Sequence, residues 1–198
     1  MSGLPKPLLE LRRLISKMPG FSERGAERFL GWWWQRGQER EELLKNWQEF
    51  IGYRPCKKCF FFAQNELCEF CSDDSREKDQ ICVVSSSFTA ATVNKEAEFR
   101  GFYFVLDGDA VGSRGGKIIE AVKERIELLK KRIADENIKE VILATDFTSR
   151  GEATSLYIKD ELKGLPVKVT RLGRGLHSGD SLGYSDAVTL KAAFANRS

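Results

Sequence analysis

Histidine is almost missing from this sequence: His177 stands alone in 198 residues. That excludes a histidine-based metal site and any Ser-His-Asp arrangement needing a second histidine. Long apolar runs are missing too. No stretch reaches the roughly 18–20 apolar residues that a membrane-spanning helix needs. The first twenty residues carry Arg12, Arg13 and Lys17 and no apolar core of about 7–15 residues, so they do not read as a secretory signal. A cytoplasmic address is the expectation, and the cytoplasm is reducing. Charge of one sign is scarce: the net charge is +3, with the basic excess spread thinly along the chain. Nucleic acid is permitted by that balance but not demanded. There is no internal repeat and no low-complexity segment.

What is present falls into three kinds of pattern. Residues 8–51 read as helical. Leu8, Leu11, Ile15 and Met18 line one face of a first helix, stopped by Pro19-Gly20. Ala26, Phe29, Leu30 and Trp33 mark a second helix, and Leu43, Trp47, Phe50 and Ile51 a third. From Arg54 to about Gln80 the chain turns to cysteines, aromatics and charge without a clear period. Strand candidates then alternate with helices. The strands are Ile81–Val84, Phe102–Leu106, Val141–Ala144 and Val167–Thr170. One helix carries Ile118, Val122, Ile126, Leu129 and Ile133; another runs from about Gly151 to Lys163, ended by Gly164 and Pro166. The expectation is an α/β body with a mostly parallel sheet and flanking helices.

Cys56, Cys59, Cys68 and Cys71 form C-x2-C-x8-C-x2-C. A C-x2-C turn offers two thiolates from one tight loop, and two such loops complete a tetrahedral shell around zinc. A closed shell leaves no position for water, so the site reads as structural, with one Zn2+ per chain. A redox pair would instead open a thioredoxin-like helix, and disulfides conflict with a reducing compartment. Cys82 stands apart in an apolar run and reads as a buried strand residue.

Pro19 through Ala26 has the outline of a helix-hairpin-helix, the device that brings backbone N–H groups to a DNA phosphate. Gly20 is in place, but Ser22 occupies the position of the second glycine. Arg24 and Arg28 fall one turn apart on the next helix. A helical turn with two solvated arginines is the competing reading. Trp32, Trp33 and Trp34 point three ways from one helix, which suggests packing or an oligomer seam more than stacking on bases.

The passage from Val141 to Thr154, with Ala144-Thr145, Thr148 and Gly151-Glu152-Ala153-Thr154, resembles the strand-loop-helix of a Toprim domain in its RecR version. The cysteine spacing, Arg76 followed by Cys82-Val83-Val84, Gly101–Leu106, Val169–Gly175 and Asp186–Leu190 are also similar to that family, in the same order over about residues 8–197. The resemblance implies a helix-hairpin-helix head (1–53), a four-cysteine zinc module (54–80), a Toprim domain (81–165) and a C-terminal oligomerisation segment with a strand and helix (166–198). It implies a noncatalytic recombination mediator that forms homodimers or homotetrameric rings on DNA. RecO-like and RecF-like proteins would be its partners in loading recombinase at gaps. Arg24 and Arg28 match the family's basic hairpin positions and, by the resemblance, would carry the DNA contact. Asp146, Thr148 and Glu152 would form a Toprim interaction surface.

Toprim enzymes hold Mg2+ with a carboxylate after the first strand and a pair after the third. Here Ser85 follows the first strand, and Thr148 replaces the second acid after Asp146. An enzyme is therefore not the expectation. A magnesium-dependent Toprim enzyme and a scaffold that has lost DNA binding remain the alternatives. The Gly108–Lys117 turn is not a P-loop: Val111 sits where its first glycine belongs and Ile118 where its Ser/Thr belongs. His177 reads as a loop residue. Ser85–Asn94 lacks the family's acids, and Arg150 sits where an acid is frequent, so a RecO-like partner would meet an altered face.

Overall fold

Gly20 takes φ +82°, the left-handed backbone that lets Pro19-Gly20 end one helix and turn into the next. In the computed structural model, which describes residues 3–110, 118–173, 175–176, 179 and 181–195, the chain divides into two compact units, Met1–Tyr53 and Arg54–Ser198. The first holds α1 (Lys6–Ile15), α2 (Glu23–Gln35) and α3 (Gly37–Ile51). Its buried core is Ile15, Ala26 and Leu30, with Leu8 and Phe29 packed against it. Arg12 pairs with Glu27 at 2.8 Å and ties α1 to α2. Of the expected apolar positions of the second helix, Ala26, Phe29 and Leu30 face this core and Trp33 packs on Phe29. Those of the third do not: α3 buries none of its residues, and Leu43, Trp47, Phe50 and Ile51 are exposed.

The second unit begins with a hairpin, β1 (Arg54–Pro55) against β2 (Phe62–Ala63), and a short α4 (Glu69–Ser72). A parallel sheet follows, built from β3 (Gln80–Val84), β4 (Phe102–Val105), β5 (Glu140–Ala144) and β6 (Lys168–Arg171) in the order β4-β3-β5-β6. The crossovers are α5 (Ser87–Glu96), α6 (Glu120–Asp135) and α7 (Ser149–Glu161); a 3-10 turn at Leu182–Tyr184 and α8 (Ala187–Ala195) end the described chain. All four expected strands are present, displaced by a residue at some ends, as is normal for strand boundaries. The α/β class expected from the alternation is the one observed.

Side chains alternate across the pleat, and the alternation sorts the core into two clusters. Ile81, Val83, Phe102, Phe104, Val141 and Leu143 face α6 and α7, which supply Val122, Ile126, Leu129, Ile133 and Ile158, with Leu162 capping α7. Cys82, Val84, Tyr103, Val105 and Ala144 face the other way, onto Ala90 of α5 and onto Cys56, Cys59, Cys68, Phe61 and Phe70. Each fully buried large side chain contributes roughly 1.5–3 kcal/mol. The cysteine segment thus covers one face of the sheet. The 111–117 turn and His177, weighed in the sequence, lie outside the described residues.

Candidate metal centre and nucleic-acid interface

The two C-x2-C loops are built by short backbone bonds. Cys56 N–H donates to Phe61 O at 2.8 Å and Phe60 N–H to Cys56 O at 3.0 Å; Cys71 N–H donates to Cys68 O at 3.1 Å. Phe60 accepts a left-handed backbone, φ +64°, to close the first loop. The result brings the sulfurs of Cys56, Cys59, Cys68 and Cys71 within 4.8 Å of one another, and Cys59 Sγ lies 3.3 Å from Cys68 Sγ. Four thiolates around Zn2+ at about 2.3 Å need sulfurs just under 4 Å apart, so this donor set fits. Hydrogen bonding within the cluster, first between Cys59 and Cys56, lowers the Cys56 pKa and raises that of Cys59. Zinc binding takes all four sulfurs as thiolates and releases their protons. Cys82 is no part of the cluster: it is buried on β3, and burial pushes its thiol up to about 12.

In the head, Ser22 does what a glycine could not. Its hydroxyl accepts from Gly25 N–H at 3.1 Å and caps α2. Ser22, Arg24, Glu27 and Arg28 line an open depression of about 630 Å³. Glu27 is engaged by Arg12, while Arg24 and Arg28 are exposed and form no ion pair among the described residues. The depression therefore offers a capped helix N-terminus and two free guanidiniums, a combination suited to a phosphate backbone.

The third place is the crevice at the carboxyl ends of β3 and β5. The chain leaves β3 for β4 on one side and later adds β5 on the other, so this is the point where strand order reverses and α/β sheets bind ligands. Ser85 and Asp146 meet there: the serine hydroxyl donates to Asp146 Oδ1 at 3.4 Å. The neighbouring residues each have a structural task. Thr145 donates to Gly151 O at 2.9 Å and shares a 2.7 Å bond with Ser155. Thr148 caps α7, accepting from Gly151 N–H at 3.1 Å. A Cβ on Gly151 would lie 2.0 Å from Asp146 O, so only glycine fits. Glu152 is clamped by Arg171 through two bonds, one of 2.8 Å. Thr154 accepts from Ala110 N–H at 2.9 Å and holds the end of the β4 loop. Arg150 lies 3.6 Å from Asp109.

A family model described as the four-cysteine zinc finger domain of RecR matches residues 53–73, and one described as "Toprim domain" matches residues 79–173. Curated relatives named Recombination protein RecR match along nearly the whole chain. That of Thermus thermophilus is 37% identical over 193 residues, covering 98% of this chain and 97% of its own. That of Rubrobacter xylanophilus is 37% identical, covering 92% of each. That of Desulfatibacillum aliphaticivorans is 36% identical, covering 100% of this chain and 98% of its own. The chain belongs to the RecR family.

Zinc is the structural cofactor of this RecR-family chain: the matched zinc finger spans all four clustered cysteines. Among the described residues no helix is long and apolar enough to cross a membrane. The structure brings together Asp146, Thr148 and Glu152 around the start of α7, and sets Arg24 and Arg28 side by side on α2. Sequence reasoning missed Arg132 and Arg125. Both lie on α6 among charges that read as a solvated face, yet Arg132 is buried and reaches the carbonyls of Lys58 and Tyr103. No local signal marks a residue whose partners are this far away in sequence.

Proposed function

We propose that this chain is a noncatalytic recombination mediator that binds DNA and acts in recombinational repair at gaps. The observation that carries the noncatalytic reading is the Ser85–Asp146 pair at the strand-end crevice. One carboxylate facing a hydroxyl, beside a threonine occupied as a helix cap, cannot share a magnesium ion with a second acid. The Asp146, Thr148 and Glu152 region then serves as an interaction surface for a RecO-like or RecF-like partner. Its serines and Arg150 make that surface less acidic than the family's usual one.

Cys56, Cys59, Cys68 and Cys71 ligate the zinc in this reading. Arg24 and Arg28 hold the phosphate backbone, each neutralising one charge and releasing one counterion. The exposed apolar face of α3, with Trp32 and Trp34 on α2, supports assembly of copies into a dimer or tetrameric ring. The working place is the cytoplasm.

The test is binding to fluorescent gapped duplex DNA with and without Mg2+. The wild type should bind and leave the DNA intact. The double substitution Arg24→Glu, Arg28→Glu should abolish binding while zinc content and melting temperature stay unchanged. Cleavage that disappears in Asp146→Ala would establish the magnesium-dependent alternative. Unchanged binding by the double variant would remove the hairpin from the DNA contact.

A further inference from the structure

β4 lies at one edge of the sheet. A parallel edge strand presents every second residue's N–H and C=O outward, a template for pairing with another chain. On β4 the inward residues pair with β3, and Leu106 N–H continues the ladder to Val84 O at 2.9 Å. Four of the outward groups are taken by side chains and by a cysteine loop. Arg76 donates to Gly101 O at 2.7 Å, Arg132 to Tyr103 O at 3.1 Å and Arg125 to Val105 O at 3.1 Å. Val105 N–H donates to Cys59 O at 2.8 Å.

These fasteners share a second dependence. Arg76 stacks on Phe70 at 4.7 Å and Arg125 on Phe60 at 4.5 Å. Phe60 follows Cys59 directly, and Phe70 sits between Cys68 and Cys71. Arg132 also donates to Lys58 O at 3.2 Å, inside the first C-x2-C loop, and Glu136 holds both Arg132 and Lys58. Each guanidinium that seals the strand is therefore placed, wholly or in part, by a residue inside or next to a cysteine loop. The strand underneath, Phe102-Tyr103-Phe104-Val105 with Leu106 after it, is uncharged, rich in β-forming residues and free of proline. That composition pairs readily with copies of itself when its edge is open.

We propose that the cysteine loops are a removable cap on the β4 edge, closed only while they hold metal, and that the uncovered edge pairs with β4 of a second copy of this chain. The zinc module then sets whether the body stays closed or joins another body edge to edge. The central strand β5 keeps both neighbours, β3 and β6, in either state.

The experiment is amide exchange by NMR on the full chain, zinc-loaded and after removal of zinc with a chelator, together with light scattering. Chelation should raise exchange at Val105 by about tenfold or more while Ile142 and Leu143 stay protected, a sub-global opening. Scattering should rise with concentration and reverse on adding zinc. A second variant, Arg125→Met, leaves all four cysteines in place; it should bind zinc normally yet raise exchange at Val105. Protection of Val105 that survives chelation would overturn the proposal. So would loss of protection at Val105, Ile142 and Leu143 together, because the metal would then hold up the whole fold and cap no particular edge.

Discussion

In the head, Ile15, Ala26 and Leu30 are the buried apolar residues of three helices, and α3 contributes none among the described residues. In the body, a four-stranded sheet is covered on both faces, by α6 and α7 on one and by α5 with the cysteine loops on the other. The contrast separates two uses of apolar sequence. The body spends its apolar residues on closing itself, and where a helix is lacking a metal-bound segment does the covering. The head leaves Trp34 82% and Trp47 55% exposed, surface that gains stability only when something else covers it. We propose that this exposed apolar surface of the head is where copies of the chain assemble.

The strongest challenge to that contrast is loss of a cysteine. Cys59→Ser should remove stoichiometric zinc and lower the melting temperature by roughly 10 °C or more, since a structural site contributes on the order of 10 kcal/mol of apparent folding free energy. The α1 and α2 amides should keep their protection in the same sample. Metal analysis with amide exchange checks both halves. A zinc-free variant that melts like the wild type would mean that the sheet closes without the cysteine loops.

Gly151→Ala comes next. Its Cβ would meet backbone at Asp146, so the loop must move, at a cost of about 3 kcal/mol. Calorimetry should show a lower melting temperature with zinc retained. A neutral result would mean that the strand-end loop is looser than its Thr145, Thr148 and Thr154 bonds imply.

Glu136→Gln sharpens the same comparison by pH. Burial pushes this carboxyl up, but hydrogen bonds from Lys58 and Arg132 outweigh it and leave the pKa below the usual value. A lowered native pKa contributes stability above the unfolded value of about 4.3 and loses it as pH falls through the native one. The substitution should cost about 1–2 kcal/mol near neutrality, and the difference should fade in acid. Denaturation at several pH values tests this.

The smallest expected effect is in the head. Trp34→Ala should change stability by no more than about 0.5 kcal/mol, as for an exposed residue, while altering the oligomer seen by sedimentation. A large loss of monomer stability would show that the head is closed after all.

Much of this organisation was legible in the residues. Short β-rich runs alternating with helices marked the four strands, and the 3.6-residue spacing of Val122, Ile126, Leu129 and Ile133 marked α6. The cysteine spacing announced the metal centre, because zinc chemistry acts over a few residues. Helix α5 was not foreseen: of Ser87–Glu96 only Ser87 and Ala90 are buried, so the helix carries no apolar stripe, and its clearest signal is the Ser86 cap. The covering of Tyr103 by Phe70 and Phe99 was also invisible, since those contacts join segments that no local pattern relates. The roles of Arg76, Arg125 and Arg132 share that cause. Within the strand-end motif, the residue types were readable but their tasks were not. Thr148 reads as a missing acid in the sequence and as a helix cap in the structure.

The proposed mode of action is encirclement of DNA, without cleavage, by a ring of copies of this chain. Its most direct measurement is retention of the zinc-loaded protein on closed circular gapped DNA and on the linear form, after a high-salt wash with Mg2+ present. Simple electrostatic binding is lost steeply with salt on both forms. A chain that encircles DNA should stay on the circle, slide off the linear form and leave both intact. Equal release from both forms, or nicked DNA, would contradict it.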